Sequence, residues 1–316
     1  MAQDTKIPIY LITGFLESGK TSFIKEILSE ESFTSEDETL LIVCEEGLEE
    51  YEEEFLKEAN TSVLYFDELD NITEDSLKAA DIMRNPTRVI IEYNGMWKIE
   101  DLFKIKKPDS WELFQVVTVV DSTTFEVYLN NMRSLFMDKF SRSDLIAFNR
   151  CDESTDKGIC RKTARAMSPA AQIMFENTDG SIDDGRDSLT LPYDINASEI
   201  SIDDTDFDMF YVDAADNPDN YVGKTIKIKG MMFKHPRLKK GEYVFGRYAM
   251  TCCADDIGLI GFIAEYEGNI MEKAWVKITA KVKKEYSALH GRENCKLCIS
   301  KIEQTKKPEE ELVYLN

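Results

Sequence analysis

The 316-residue chain has only two histidines, His235 and His290, and neither is assigned a role. A histidine-rich metal tail is excluded, so thiolates and carboxylates must do any metal work. No run approaches 18 apolar residues, and the start, MAQDTKIPIY, lacks a basic stretch followed by a long apolar one. Neither a signal peptide nor direct membrane insertion is expected. Basic residues are scarce, 38 against 60 acidic ones, which argues against holding nucleic acid or an anionic membrane through bulk charge. Seven cysteines, an odd number spread over the whole chain, suit reduced thiols in the cytoplasm better than a disulfide framework.

The charge that is present is unevenly placed. Residues 221–316 carry 18 Lys/Arg and 12 Asp/Glu, net +6, while the remainder carries 20 and 48, net −28. This asymmetry sets a boundary near residue 220. Residues 196–220 are acidic, turn-rich and weakly periodic, and read as a linker between domains 1–195 and 221–316.

Seven apolar, β-branched runs alternate with helical stretches in the first domain: IPIYLIT, TLLIVC, SVLYF, RVIIEY, FQVVTVV, DLIAFN and AQIMFE. Such alternation predicts an α/β fold, a mostly parallel sheet with helices on both faces. Five strand-like runs follow one another after residue 221, with strict polar/apolar alternation in KTIKIKG and WVKITAKVK. They predict a small all-β barrel, OB-like in form. Nucleic-acid binding, a common use of that architecture, is not expected of a +6 domain tethered to a −28 partner.

Ligands of open α/β sheets sit at the carboxyl ends of strands, and three strand ends carry motifs. The first is GFLESGKT, residues 14–21. Gly14 and Gly19 let the backbone curl so that successive N–H groups face a phosphate. Lys20 would reach the β and γ oxygens, and Thr21 would offer its hydroxyl to Mg²⁺. The following helix adds its unpaired N–H groups and dipole. The expected nucleotide contacts here are Gly14, Glu17, Ser18, Gly19, Lys20, Thr21 and Ser22. The second strand end is Glu92-Tyr93-Asn94-Gly95, an acid placed to orient Mg²⁺ or a water, followed by a glycine whose N–H would meet the γ-phosphate. The third is Asn149-Arg150-Cys151-Asp152, where Asp152 would accept from the ring N–H and exocyclic amine of guanine, groups that adenine does not present. Catalysis by such a site would be largely electrostatic, with Lys20 neutralising phosphoryl charge and Glu92 orienting a water.

These stretches, with IVCEEG, VVTVVD and ARAMSPAAQI, together resemble the CobW-like branch of phosphate-loop GTPases, relatives of the maturation factors UreG and HypB, over residues 7–180. The resemblance implies a slow, metal-linked GTPase using GTP and Mg²⁺, which delivers or allocates zinc or cobalt to a client metalloprotein. Three positions depart from the family pattern. Its Cys-x-Cys-Cys motif is missing, Cys44 replaces the Asn before Glu45, and Arg150 replaces the Lys that packs over the base. Glu45 falls where the family places an acid near the metal. It opens the acidic run Glu46, Glu49, Glu50, Glu52, Glu53, Glu54, which reads either as a solvated helix face or as an oxygen-ligand site in which Glu45 helps hold Mg²⁺ and Glu49 or Glu50 a second cation.

The stretch from Tyr221-Val222-Gly223-Lys224 through GRYAMTCCADD resembles the C-terminal domain of YcgQ-like bacterial proteins, found beside permease-like membrane proteins, and the resemblance covers most of residues 221–316. Cys252 and Cys253 with Cys295 and Cys298 would make a four-thiolate site, with Asp255 or Asp256 as a substitute ligand; alternatively the cysteines are small buried hydrophobes. The function expected is that of a GTPase metallochaperone. Its rival is a nucleotide-gated binding module with negligible turnover, docking on a permease or an assembly partner.

Overall fold

The computed structural model describes residues 6–30, 38–186, 189–250, 257–287 and 292–315. They form two compact units: residues up to 155 with 171–184, and residues 156–170 with 185–316.

The first unit is built on eight strands: β1 (Ile7–Thr13), β2 (Thr39–Val43), β3 (Thr61–Tyr65), β4 (Arg88–Glu92), β5 (Trp111–Asp121), β6 (Leu145–Cys151), β7 (Gln172–Asn177) and β8 (Ile182–Asp183). Their order is β3-β2-β4-β1-β5-β6-β7-β8, parallel throughout except for β8. All seven apolar runs expected as strands are strands. The period of two explains why they are so uniformly apolar. Ile9, Leu11, Val89 and Ile91 pack with Leu77 and Ala80 of one helix, whereas Ile12, Ile90, Leu41 and Val43 pack with Ile24 and Leu28 of another. Both faces are therefore covered, and each fully buried Leu or Ile contributes about 2 kcal/mol. Among the described residues the helices of this unit are α1 (Lys20–Ser29), α2 (Glu53–Glu58), α3 (Glu74–Arg84), α4 (Ile99–Lys104), α5 (Phe125–Asn131) and α6 (Arg133–Phe140).

The second unit holds helices α7 (Lys157–Met167) and α8 (Phe207–Asp216) and strands β9 (Glu199–Ser201), β10 (Thr225–Phe233), β11 (Glu242–Met250), β12 (Gly258–Glu265), β13 (Trp275–Ser287), β14 (Arg292–Gln304) and β15 (Val313–Tyr314). Strands β10-β11-β12-β14-β13 close on themselves through the β10–β11 pairing, with β12 and β14 parallel and the other neighbours antiparallel. This five-stranded barrel confirms the expected second architecture. In β13 the alternation is direct: Val276, Ile278, Ala280 and Val282 are buried and Lys277 and Lys281 are exposed.

Residues 196–220 differ from the expected linker. Strand β9 extends the barrel sheet in parallel beside β10. Helix α8 buries Phe207, Phe210, Tyr211 and Ala214 in the barrel core. The acidic residues masked a helical apolar spacing of three and four. Helix α7 also groups with this unit, because Arg161 and Arg165 both pair with the buried Asp216 of α8, at 2.7 and 2.6 Å. The boundary therefore lies earlier than residue 195.

No helix among the described residues is long and apolar enough to cross a membrane.

Candidate nucleotide-binding site

The strand order places the chain's first crossover at the centre of the sheet. β1 lies between β4 and β5, and α1 leads to β2, beyond β4. The carboxyl ends of β1, β4, β5 and β6 thus converge, which brings Gly14, Glu92, Asp121 and Asn149 to one end of the sheet.

The loop between β1 and α1 curls as its glycines allow. Gly19 has φ 92°, and a Cβ there would lie 2.3 Å from Asn149 Nδ2. Gly19 is also the N-cap of α1 and supplies no side-chain cap, so the helix's first N–H groups are left for the loop interior. Asn149 Nδ2 donates to the Ser18 carbonyl at 2.8 Å and pins the loop from β6. Gly95 approaches from the β4 side so closely that a Cβ would meet the Gly14 carbonyl at 2.5 Å. The Ser18 hydroxyl is buried without a hydrogen-bond partner among the described residues. A curled loop with an open helix N-terminus and an orphaned hydroxyl fits a bound phosphate.

Lys20 is buried and donates to the carbonyls of Gly14 (3.1 Å) and Phe15 (3.0 Å) and to Glu45 Oε1. Thr21 Oγ1 donates to Glu92 Oε1 at 2.8 Å, and Tyr51 donates to Glu92 Oε2 at 2.6 Å. Burial raises the Glu92 carboxyl above the ordinary carboxylate range, opposed by the two hydroxyls and by Lys20. Thr21 and Glu92 are the pair that fits Mg²⁺, one hydroxyl and one carboxylate oxygen meeting beside Lys20.

At the end of β6, Arg150 Nη1 donates to the Glu17 carbonyl at 2.9 Å and pairs with Asp121. Asp152 is exposed, and its Oδ1 accepts from Ser154 N at 2.8 Å and Ser154 Oγ at 2.6 Å, which hold the carboxyl below its usual range.

The acidic segment is not one helix face. Only Glu53–Glu58 is helical, and residues 45–52 lie beside the loop. Glu49 accepts from Ser22 Oγ and pairs with Lys25 at 3.2 Å, Glu52 pairs with Lys25 at 3.0 Å, and Glu17 Oε1 accepts from Leu48 N at 2.9 Å. Burial, with Glu92 and Glu45 nearby, pushes the Cys44 thiol up to about 12 and keeps it neutral.

Tyr51, Asp121 and Lys139 also border this site and belong to none of the three strand-end motifs. Tyr51 sits in a glutamate run with no pattern to single it out, while Asp121 ends a recognisable strand and was discoverable. Lys139 of α6 is fully buried, donates to the Trp97 carbonyl at 3.2 Å and lies 5.8 Å over the Phe15 ring. Burial lowers its ammonium from 10.5 to about 8. Between those two values the unfolded chain binds more protons than the folded one, so this residue makes stability rise with pH over that window. We expect Lys139→Met to abolish the rise and to raise stability at pH 7 by about 1–3 kcal/mol, as read from urea melts at pH 7 and 9.5.

The expected thiolate site is corrected in part. Cys252 and Cys253, with Asp255 and Asp256, lie outside the described residues. Cys295 and Cys298 do not sit in a turn. Both belong to β14, which already begins at Arg292. Three residues apart on a strand, they face opposite sides: Cys295 packs in the core with Leu297, its thiol pushed up to about 12 by burial, and Cys298 lies on the outer face. They cannot share one tetrahedral ion. Among the described residues no group of three or more His, Cys, Asp or Glu is arranged to hold a metal.

Residues 183–315 match the DUF1980 C-terminal domain. No curated protein matches the chain. Among solved structures, the Zn(II)-bound YjiA GTPase from E. coli is 20% identical and covers 71% of this chain and 72% of its own, at TM-score 0.44. The hydrogenase maturation factor HypB from Archaeoglobus fulgidus is 15% identical and covers 56% and 83%, at TM-score 0.38. Residues 8–175, more than half of the length, match the CobW/HypB/UreG nucleotide-binding domain, and the chain belongs to that family.

Proposed function

We propose that the protein is a cytoplasmic GTPase that binds and slowly hydrolyses GTP and serves metal handling, as a metallochaperone or allocator of zinc or cobalt for a client metalloprotein. The observation that carries this reading is the convergence of three sequence-distant strand ends on one cleft: the curled loop with Lys20 and Thr21, Glu92 bonded to Thr21, and Asn149 pinning the loop. Lys20 would neutralise charge on the transferring phosphoryl group, and Glu92 would orient a water. Mg²⁺, held by Thr21 and Glu92, would supply the charge that draws electrons from the phosphate oxygens. The metal-handling part is supported by family membership.

Competition binding tests the base. GTP should be preferred over ATP, and Asp152→Asn should weaken that preference, because an amide donates where guanine also donates. Equal affinity of the unaltered protein for both nucleotides rejects the assignment. Hydrolysis measured across Zn²⁺, Co²⁺ and Ni²⁺ tests the cargo. Acceleration by one ion supports metal handling, and nucleotide-dependent partner binding with no ion effect supports the binding module instead.

A further inference from the structure

If the loop holds a nucleotide as proposed above, Lys20 and the Gly95 N–H are the two donors that face its γ-phosphate. A single side chain already takes both. Glu45 accepts from Lys20 Nζ with Oε1 and from the Gly95 N–H with Oε2 at 3.0 Å. Its two carboxylate oxygens lie in a pocket lined by Lys20, Thr21, Glu49 and Glu92. The Gly95 amide has a single hydrogen, and Lys20 already gives its three to Gly14, Phe15 and Glu45, so a γ-phosphate that takes both donors does so at the expense of Glu45. A bound γ-phosphate must therefore expel the Glu45 carboxylate. A β-phosphate, seated in the loop, needs Lys20 but not the Gly95 amide.

We infer that Glu45 is an internal occupant of the γ-phosphate position, and that residues 45–52 form a strap which triphosphate releases and diphosphate leaves closed. The strap's other ties are polar and reversible: Leu48 N to Glu17, Glu49 to Ser22 and Lys25, and Tyr51 to Glu92. Glu45 thereby makes the site discriminate between the two nucleotide states, because the competition falls on triphosphate more heavily than on diphosphate.

Glu45→Gln removes the competing charge and retains the shape. Titrations of the full chain with a non-hydrolysable GTP analogue and with GDP, in chelator so that no divalent ion contributes, should show the variant binding the triphosphate about tenfold tighter and GDP with a clearly smaller change. Unchanged or weaker triphosphate binding by a variant whose thermal melt matches the wild type would overturn the inference and point to Glu45 as a metal ligand only. In the unaltered protein, amide exchange at Leu48 should quicken with the triphosphate analogue and stay slow with GDP; equal exchange in both states would also overturn it. If neither protein binds either nucleotide, the nucleotide reading of the loop fails, and this inference with it.

Discussion

Lys20→Ala should weaken GTP binding by roughly 10²- to 10³-fold while leaving the sheet folded. The ammonium is the buried cation of the loop, and a charge-assisted hydrogen bond to phosphate contributes about 1.5–3 kcal/mol. The substitution also leaves Glu45 anchored to the Gly95 N–H without its counter-charge, so a cavity already lined by Glu17, Glu49 and Glu92 becomes more negative. Both effects act against a triphosphate. The strands beneath are held by Leu11, Ile12, Ile90 and Ile91, none of which depends on Lys20. Calorimetric titration, with circular dichroism to confirm the fold, measures this. Retained GTP affinity would remove the phosphate-loop reading.

The largest stability effect is expected in the second unit. Asp216 is 1% exposed in its side chain and faces Arg161 at 2.7 Å, Arg165 at 2.6 Å and Arg292 at 3.5 Å. Its carboxyl is held below the usual range by the three guanidiniums, against burial that would raise it. Asp216→Asn keeps the volume but removes the charge shared by two fully buried arginines, and breaking a buried pair from one side costs about 3–5 kcal/mol. Hydrogen exchange in β10 and β13 should accelerate accordingly, with exchange in β1 and β4 unchanged. Exchange in β10 and β13 equal to that of the parent protein would mean the arginines are compensated elsewhere.

The parallel sheet was readable because its strands are short, apolar runs separated by helices, and burial on both faces makes that signature hard to mistake. The phosphate loop was readable because glycine, lysine and threonine occupy fixed positions for reasons of backbone geometry and charge. Helix α8 was not, since Asp208, Asp213 and Asp216 interrupt its apolar face. Their charges are answered by partners outside the helix: Lys162 for Asp208 and Arg161 for Asp216, both distant in sequence, and the Tyr221 hydroxyl, eight residues on, for Asp213. The Cys295–Cys298 pair failed for a related reason. A Cys-x-x-Cys spacing suggests a shared ion only in a turn, and the strand that carries it is fixed by pairing with β12 and β13.

The clamp from Asn149 to the Ser18 carbonyl spans 131 residues of chain. During synthesis the glycine loop leaves the ribosome early, yet it lacks this clamp until β6 has emerged and paired with β5. A nucleotide that needs the clamped loop cannot guide the first steps of folding. It acts on the completed sheet, and its binding energy then adds to the stability of the whole first unit rather than to the loop alone.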